Sequence, residues 1–333
     1  MGGLVARSAS RQEEAEDKIL GIIHGVQPAL GAPAAYWRMK AGFEADSVLS
    51  WIASRVLGNT GPEVTAVLGN IPGGLQLLPN NNYRTNNIDN TVNVTAWLRI
   101  TENGKSVQVP LPKPKSNPYD DIYRIPAIVM PSKNKESSNN AFWGLVDPDL
   151  LEPGKRAWVP NPDAPEGMNA FRLASRPESW EQYLKLLEMA EIFHQEKLKN
   201  YTHPETFSFH GAGRLTADHI EFRIETCDAK EVAYKNAYGT RAFNGYYRDN
   251  RGEFKRATLQ RSNETGGDGT VPISSASALN KRGQAESKIH PGDQAYQTSH
   301  QEAYTIKEIQ HYTIRAICAL CKNYINFRRS QKE

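Results

Sequence analysis

The chain has 333 residues, of which 39% are hydrophobic, and its 40 Lys and Arg residues nearly balance 37 Asp and Glu residues, for a formal net charge of +3. This length suffices for one large domain with insertions or for two ordinary domains. Because the charges are interspersed along the chain, we expect no nucleic-acid partner. We also expect no signal peptide and no membrane-spanning segment, since no stretch approaches the roughly 20 consecutive apolar residues that a span needs.

The first 79 residues alternate between helical and strand patterns. Gly2 and Gly3 precede Leu-Val-Ala-Arg, which is a favourable opening for a helix. Residues 19–23 form a short apolar run, as in a buried strand, and the loop-forming residues 24–28 follow it. Helical spacing returns at residues 47–57 and again from about Pro62.

The character of the chain changes between about residues 80 and 177. This part is rich in Pro and Asn and contains only short alternating runs, which indicates an insertion. Residues 177–199 then show apolar positions at helical intervals, and the sequence predicts an amphipathic helix there.

From residue 201 the pattern of strands and helices returns. The sequence predicts strands at 206–209, 220–224 and 254–259, and a last helix at about 301–324. Three cysteines are too few for a disulfide framework in a chain of this size. Cys318 and Cys321 lie within an apolar helical pattern, so we expect both in the core.

Residues 1–7, Met-Gly-Gly-Leu-Val-Ala-Arg, resemble the second half of the lipase nucleophile elbow, Gly-His-Ser-Met-Gly-Gly-Leu-Val-Ala-Arg. The resemblance implies that Gly2 closes the elbow and that the Met1 N–H contributes to the oxyanion hole. The nucleophilic serine would precede Met1, so we expect this chain to begin just after it and to be inactive alone. His24 follows the next predicted strand and is expected either to line the pocket, together with Gly2, or to be a structural loop residue.

Residues 266–272, Gly-Gly-Asp-Gly-Thr-Val-Pro, resemble the acid loop of lecithin:cholesterol acyltransferase-like and related bacterial lipases. A carboxylate that orients an imidazole needs a tight loop in which backbone N–H groups approach it, and glycines permit such a loop. Asp268 is therefore the expected catalytic acid, and the alternative is an ordinary Asp-Gly turn.

The α/β-hydrolase order of serine, acid and histidine places the catalytic histidine after Asp268. His290 precedes Pro-Gly and resembles a loop residue, and His311 lies on the polar side of the last predicted helix. His300 stands just before that helix in His-Gln-Glu-Ala-Tyr, similar to a pattern of these lipases. We expect His300 to be the general base.

Together these motifs resemble α/β-hydrolase lipases of the GPI-inositol-deacylase-like and lecithin:cholesterol acyltransferase-like group. Within it, residues 24–44 and 58–79 look most like the phospholipase effectors of type VI secretion systems. The resemblance implies a partial α/β-hydrolase fold, comprising the C-terminal part of the mostly parallel sheet and a large inserted cap. Residues 1–79 would form core after the elbow, 80–200 the cap, and 201–333 the core with the acid and histidine loops.

The implied activity is serine-dependent hydrolysis of a lipid or phospholipid ester, with no cofactor and no metal site. Expected partners are the lipid ester, the secretion apparatus, an immunity protein and, peripherally, a membrane surface. The expected location is the cytoplasm of the producing cell, with delivery to the periplasm of a target cell. The alternative is a non-catalytic remnant or a partner-binding protein derived from a lipase.

Overall fold

The computed structural model describes residues 2–13, 15, 18–43, 56–83, 97–106, 117–127, 141–155, 157–160, 171–174, 177–199, 201–228, 244–249, 251–262, 265–281, 288–289 and 294–330. Within them the helices are α1 (Gly2–Ser10), α2 (Pro33–Ala41), α3 (Gly61–Leu68), α4 (Pro72–Leu75), α5 (Pro177–Ile192), α6 (Ile273–Ala276), α7 (Ala278–Lys281) and α8 (Lys307–Ser330).

Short helical turns of other types supplement these helices. Two are π-helical, at Tyr119–Tyr123 and Phe193–Leu198, and three are 3-10 turns, at Pro148–Leu150, Pro153–Lys155 and Ala303–Thr305. The second π-helical turn continues α5 directly. The predicted helix at 177–199 is therefore confirmed, with a change of winding in its last part.

The described strands are β1 (Ile22–Gly25), β2 (Leu98–Glu102), β3 (Lys105–Ser106), β4 (Ala157–Pro160), β5 (Phe171–Ala174), β6 (Glu205–Gly211), β7 (Arg214–Thr216), β8 (Ile220–Thr226), β9 (Asn244–Arg248), β10 (Phe254–Arg261), β11 (Thr265–Gly267), β12 (Lys288–Ile289) and β13 (Gln294–Tyr296). The strands predicted at 206–209, 220–224 and 254–259 are confirmed as parts of β6, β8 and β10. The predicted strand at 19–23 begins three residues later than expected and extends to Gly25.

A parallel sheet is built around β6. β1 pairs with one edge of β6, from Ile22 beside Thr206 to Gly25 beside Phe209. β12 and β13 pair with β6 on the other edge, near its start and its end. Parallel strands are buried on both faces, which explains the largely buried run of residues along β6.

Helices cover both faces of this sheet. Phe207 and Phe209 pack against Tyr312, Ala316 and Leu320 of α8 in a small apolar cluster. The opposite face carries His24, which pairs with Ser208 and is influenced by the charge of Arg7 in α1. The two-sided cover makes this part of the chain an α/β/α layer arrangement.

A second sheet has the strand order β3-β2-β8-β10-β9. β2 runs parallel to β8, and the other described strand pairs of this sheet are antiparallel. The sheet thus combines strands from the predicted cap, 80–200, with strands from the predicted C-terminal core, 201–333. It packs into a large aromatic cluster in which Tyr36, Trp97 and Phe222 are fully buried.

The start of α3 shows how local sequence sets an element boundary. Pro62 occupies the first turn, and Glu63 accepts hydrogen bonds from the backbone N–H groups of Asn59 (2.7 Å) and Thr60 (3.2 Å). These bonds satisfy donors that lie just before the helix. The helix predicted from about Pro62 is confirmed, and most of that predicted at 47–57 lies outside the described residues.

The expectation for the two cysteines of the last helix is wrong. Cys318 and Cys321 are both exposed. The buried positions of α8 recur at intervals of three and four residues, and neither cysteine lies on that face; these positions are Ile309, Tyr312, Ala316 and Leu320.

Candidate active site

The loop after β11 holds the Asp268 carboxylate by backbone hydrogen bonds. One carboxylate oxygen, Oδ1, accepts hydrogen bonds from the backbone N–H groups of Thr270 (2.9 Å) and Val271 (2.6 Å). The side chain is only 1% exposed. Because Oδ1 is occupied by backbone donors, the second oxygen, Oδ2, is left for another partner.

That partner is His300. Its Nδ1 lies 2.7 Å from Oδ2 of Asp268, and its backbone N–H donates to the Asp268 carbonyl oxygen at 2.9 Å. The two residues are 32 positions apart in the chain. This double link orients the imidazole relative to the carboxylate, while the His300 side chain remains 33% exposed.

Two close approaches shape the acid loop. Gly269 has a φ of 87°, a left-handed conformation that favours glycine, and its N–H donates to the Thr216 hydroxyl at 2.8 Å. At Gly211, the last residue of β6, a Cβ atom would lie 2.6 Å from the Asp268 Cβ. The acid loop therefore rests directly on the carboxyl end of the central strand.

The turn that bears His300 contacts the end of β1. A Cβ atom on Gly25 would lie 2.4 Å from the Tyr304 hydroxyl, so this turn passes close over the strand. Ala303 within the turn is buried, and Ser299 and Glu302 are joined by a 2.7 Å side-chain hydrogen bond. The carboxyl ends of β1 and β6 thus position His300 and Asp268 on the same edge of the sheet.

This arrangement is suited to general base catalysis. With Nδ1–H donating to the carboxylate, Nε2 presents its lone pair away from Asp268. A buried carboxylate in this position would fix the tautomer of the ring and would stabilise an imidazolium if Nε2 took a proton.

Among the other predicted site residues, Gly2 opens α1, and a Cβ added to it would meet nothing within 4 Å. Met1 and His290 lie outside the described residues. His311 is exposed on α8 and makes no described contact with Asp268, so the structure brings His300 and not His311 to the acid.

His24 lies within β1 and not in the loop after it. The side chain is 3% exposed, and burial together with the Arg7 charge lowers its pKa to about 3. The imidazole is therefore neutral at physiological pH, and its Nε2 has no hydrogen-bond partner within the described chain. Its expected role in lining a pocket stays a prediction.

Sequence reasoning missed Gln27, which follows β1. The side chain is 4% exposed, and neither amide atom has a hydrogen-bond partner in the described part of the protein. A polar residue before Pro28 resembles an ordinary loop residue, and nothing in the sequence pattern shows that it is buried.

The described residues contain no group of three or more His, Cys, Asp or Glu side chains that could hold a metal ion. Nor do they include a helix with the length and apolar character that membrane spanning requires.

No protein-family model matches the chain, and no curated protein matches it. Among solved structures, it is similar to a chain of "The crystal structure of Tle4-Tli4 complex", with a TM-score of 0.65 and 24% sequence identity. The match covers 97% of this chain and 58% of that chain, so this chain spans a little over half of its neighbour's length. The likeness shows that the two share a mixed α/β fold.

Proposed function

We propose that this protein is part of a serine-dependent carboxylic-ester hydrolase of the α/β-hydrolase type that acts on lipids. The observation that supports the proposal best is the 2.7 Å contact between His300 Nδ1 and the buried Asp268 carboxylate at the carboxyl end of a parallel sheet. The order of the motifs and the shared fold with a chain of the Tle4–Tli4 structure agree with it.

The proposed nucleophile is the serine that the elbow-like motif requires in front of Met1. His300 Nε2 would take the serine proton as the hydroxyl attacks the ester carbonyl carbon and would return a proton to the leaving alcohol. Asp268 would hold the ring and stabilise the imidazolium. The N-terminal end of α1, including the Met1 N–H, would stabilise the oxyanion of the tetrahedral intermediate.

The division into core (1–79), cap (80–200) and core (201–333) is also a proposal. The described cap residues include the buried tyrosines Tyr119, Tyr123 and Tyr183, which pack in the large aromatic cluster. Since the second sheet takes strands from both sides of residue 200, the proposed cap and core share one packed interface.

The lipid class and the protein partners are proposed on the resemblance to type VI phospholipase effectors. The neighbouring chain was solved in a complex of Tle4 with Tli4. By analogy we propose that this protein also has a cognate protein partner, an immunity protein that binds it, in addition to a secretion apparatus.

The experiment uses the protein extended by the in-frame coding sequence upstream of Met1. Hydrolysis of a short-chain p-nitrophenyl ester and of phosphatidylcholine vesicles is measured for the parent, Asp268→Asn and His300→Ala. We expect each substitution to lower kcat about 10³- to 10⁴-fold, because the imidazole is lost or loses its orienting carboxylate.

Exposed residues of the same types provide matched controls. Asp228→Asn and His311→Ala change exposed side chains and should leave hydrolysis within a factor of two of the parent. Full activity of the His300→Ala protein would contradict the proposed mechanism. Activity on the short ester without release of fatty acid from vesicles would contradict the lipid substrate alone.

A further inference from the structure

The Gln27 side chain is a buried amide whose hydrogen-bonding groups are unused. It is 4% exposed, and both Nε2 and Oε1 lack a partner among the described residues. A buried polar group without a partner destabilises a fold, and native structures tolerate few such groups. The amide therefore offers one donor group and one acceptor atom that a ligand can bind.

Gln27 lies against the first turn of α1. A Cβ atom on Gly3 would stand 2.7 Å from Gln27 Cδ and 3.0 Å from its Oε1, so glycine at position 3 leaves room for this side chain. The first N–H groups of a helix have no partner within the helix, and they carry the positive end of its dipole. α1 has nine residues and no acidic side chain in its first turn that would neutralise this end.

The backbone that presents Gln27 is strained. Val26 has a φ of 47°, a left-handed conformation that a β-branched residue rarely adopts. It is held there by a hydrogen bond of 3.0 Å from its N–H to the Phe209 carbonyl oxygen of β6. Strained positions of this kind persist where the surroundings enforce them, and they cluster at functional sites.

The same strand end connects Gln27 to the acid and histidine pair. Val26 is bonded to Phe209, and two residues further along β6 Gly211 contacts the Asp268 loop. Gly25 lies beneath Tyr304 of the His300 turn. The amide and the pair thus lie at the carboxyl ends of the neighbouring strands β1 and β6, on one edge of the parallel sheet.

We propose that the Gln27 amide, together with the N-terminal end of α1, binds the carbonyl or carboxylate oxygen of an acyl substrate. The Nε2–H group and the first N–H groups of α1 would donate to that oxygen. The inference rests on the proposed function in taking an acyl group as the ligand, and it adds a specific side-chain contact to it.

The test measures binding of sodium octanoate and of 1-octanol to the full chain by ligand-observed NMR. Gln27→Leu removes the donors at similar volume, and Gln27→Glu replaces them with a negative charge. We expect octanoate to bind about tenfold more weakly to Gln27→Leu and weaker still to Gln27→Glu. Octanol, which lacks the carboxylate, should bind all three proteins alike.

Two further proteins separate the possible causes. Gln182→Leu, an exposed position on α5, should bind octanoate as the parent does. His300→Ala should also retain octanoate binding, because this contact does not use the imidazole. The two proposals can fail separately. If His300→Ala loses ester hydrolysis but the Gln27 substitutions leave octanoate binding unchanged, the Gln27 inference is wrong and the proposed function is still supported.

Thermal melting distinguishes a binding role from a structural one. If Gln27 serves binding, Gln27→Leu should melt at the same or a higher temperature, since it removes an unsatisfied buried amide. A lower melting temperature accompanied by equal losses of octanoate and octanol binding would overturn the inference. So would a parent chain that does not bind octanoate.

Discussion

Two regions of this protein differ in the kind of side chain that they bury. The parallel-sheet region lies around β1 and β6, and the aromatic region lies around the second sheet. Around β1 and β6 the apolar cluster is small, and buried polar groups such as His24, Gln27 and Asp268 lie among its elements. Around the second sheet the cluster is large and contains several Tyr and Trp residues, among them Trp97, which is fully buried. The comparison suggests that the aromatic region contributes most of the stability and that the parallel sheet carries the proposed chemistry.

The largest effect on stability is expected in the aromatic region. Trp97 contacts the Tyr36 ring edge-to-face, with ring centroids 5.5 Å apart. Trp97→Ala should lower the free energy of unfolding by about 3–5 kcal/mol, because it removes this packing and leaves a cavity. Urea denaturation measures the change.

Two variants sharpen the interpretation. Trp97→Phe keeps most of the ring and removes an indole N–H that has no described partner, so it should cost far less than Trp97→Ala. Tyr324→Ala, at a half-exposed position on α8, should have little effect. A Trp97→Ala protein as stable as the parent would contradict the assignment of stability to this region.

An intermediate effect, dependent on pH, is expected at His24. Burial lowers the pKa of His24 from 6.5 to about 3 in the folded state. The unfolded chain takes up a proton below pH 6.5 while the folded chain does not, so acidification favours unfolding. The His24 contribution should destabilise the fold by roughly 2–3 kcal/mol between pH 7 and pH 4.5.

The measurement compares urea denaturation of the parent and of His24→Leu at both pH values. Other groups also titrate in this range, so the relevant quantity is the difference between the two pH dependences. His24→Leu should lose about this much less stability on acidification, and His311→Leu, an exposed control, should behave as the parent does. If the free energy of unfolding changed equally with pH in all three proteins, His24 would not be buried as described.

A smaller change in stability with a large change in activity is expected at Gly211, where the strand end meets the acid loop. A Cβ atom there would lie 2.6 Å from Asp268 Cβ and 3.2 Å from the Thr298 carbonyl oxygen. Gly211→Ala should cost about 1–3 kcal/mol of stability by overpacking. It should also displace Asp268 from His300 and lower ester hydrolysis by the extended protein.

The matched control is Gly154→Ala, since a Cβ atom at Gly154 would meet nothing within 4 Å. It should leave both stability and hydrolysis close to those of the parent. Normal hydrolysis by Gly211→Ala would show that the position of the acid loop does not depend on this contact. The parallel sheet would then not be what positions Asp268 for the proposed chemistry.

Several elements were predictable because their signals are local. The alternating apolar and polar residues of β6 and β8 and the helical periodicity of α5 specify buried faces within a few residues of chain. The prediction of the last helix was less accurate, since the helix begins at Lys307 and not near Gln301. The reason is tertiary: the His300 N–H is bonded to the Asp268 carbonyl oxygen, and a 3-10 turn follows before the helix starts.

The amino-acid sequence by itself determined the order of the chemical motifs, the tight glycine-rich loop around Asp268 and the positions of β6, β8 and β10, because these depend on neighbouring residues. Only the tertiary structure decided that His300 meets Asp268, that His24 is buried within β1 and that the Gln27 amide is enclosed beside α1. These features depend on contacts between distant segments, which β6 brings to one edge of the sheet. Local patterns do not encode such contacts.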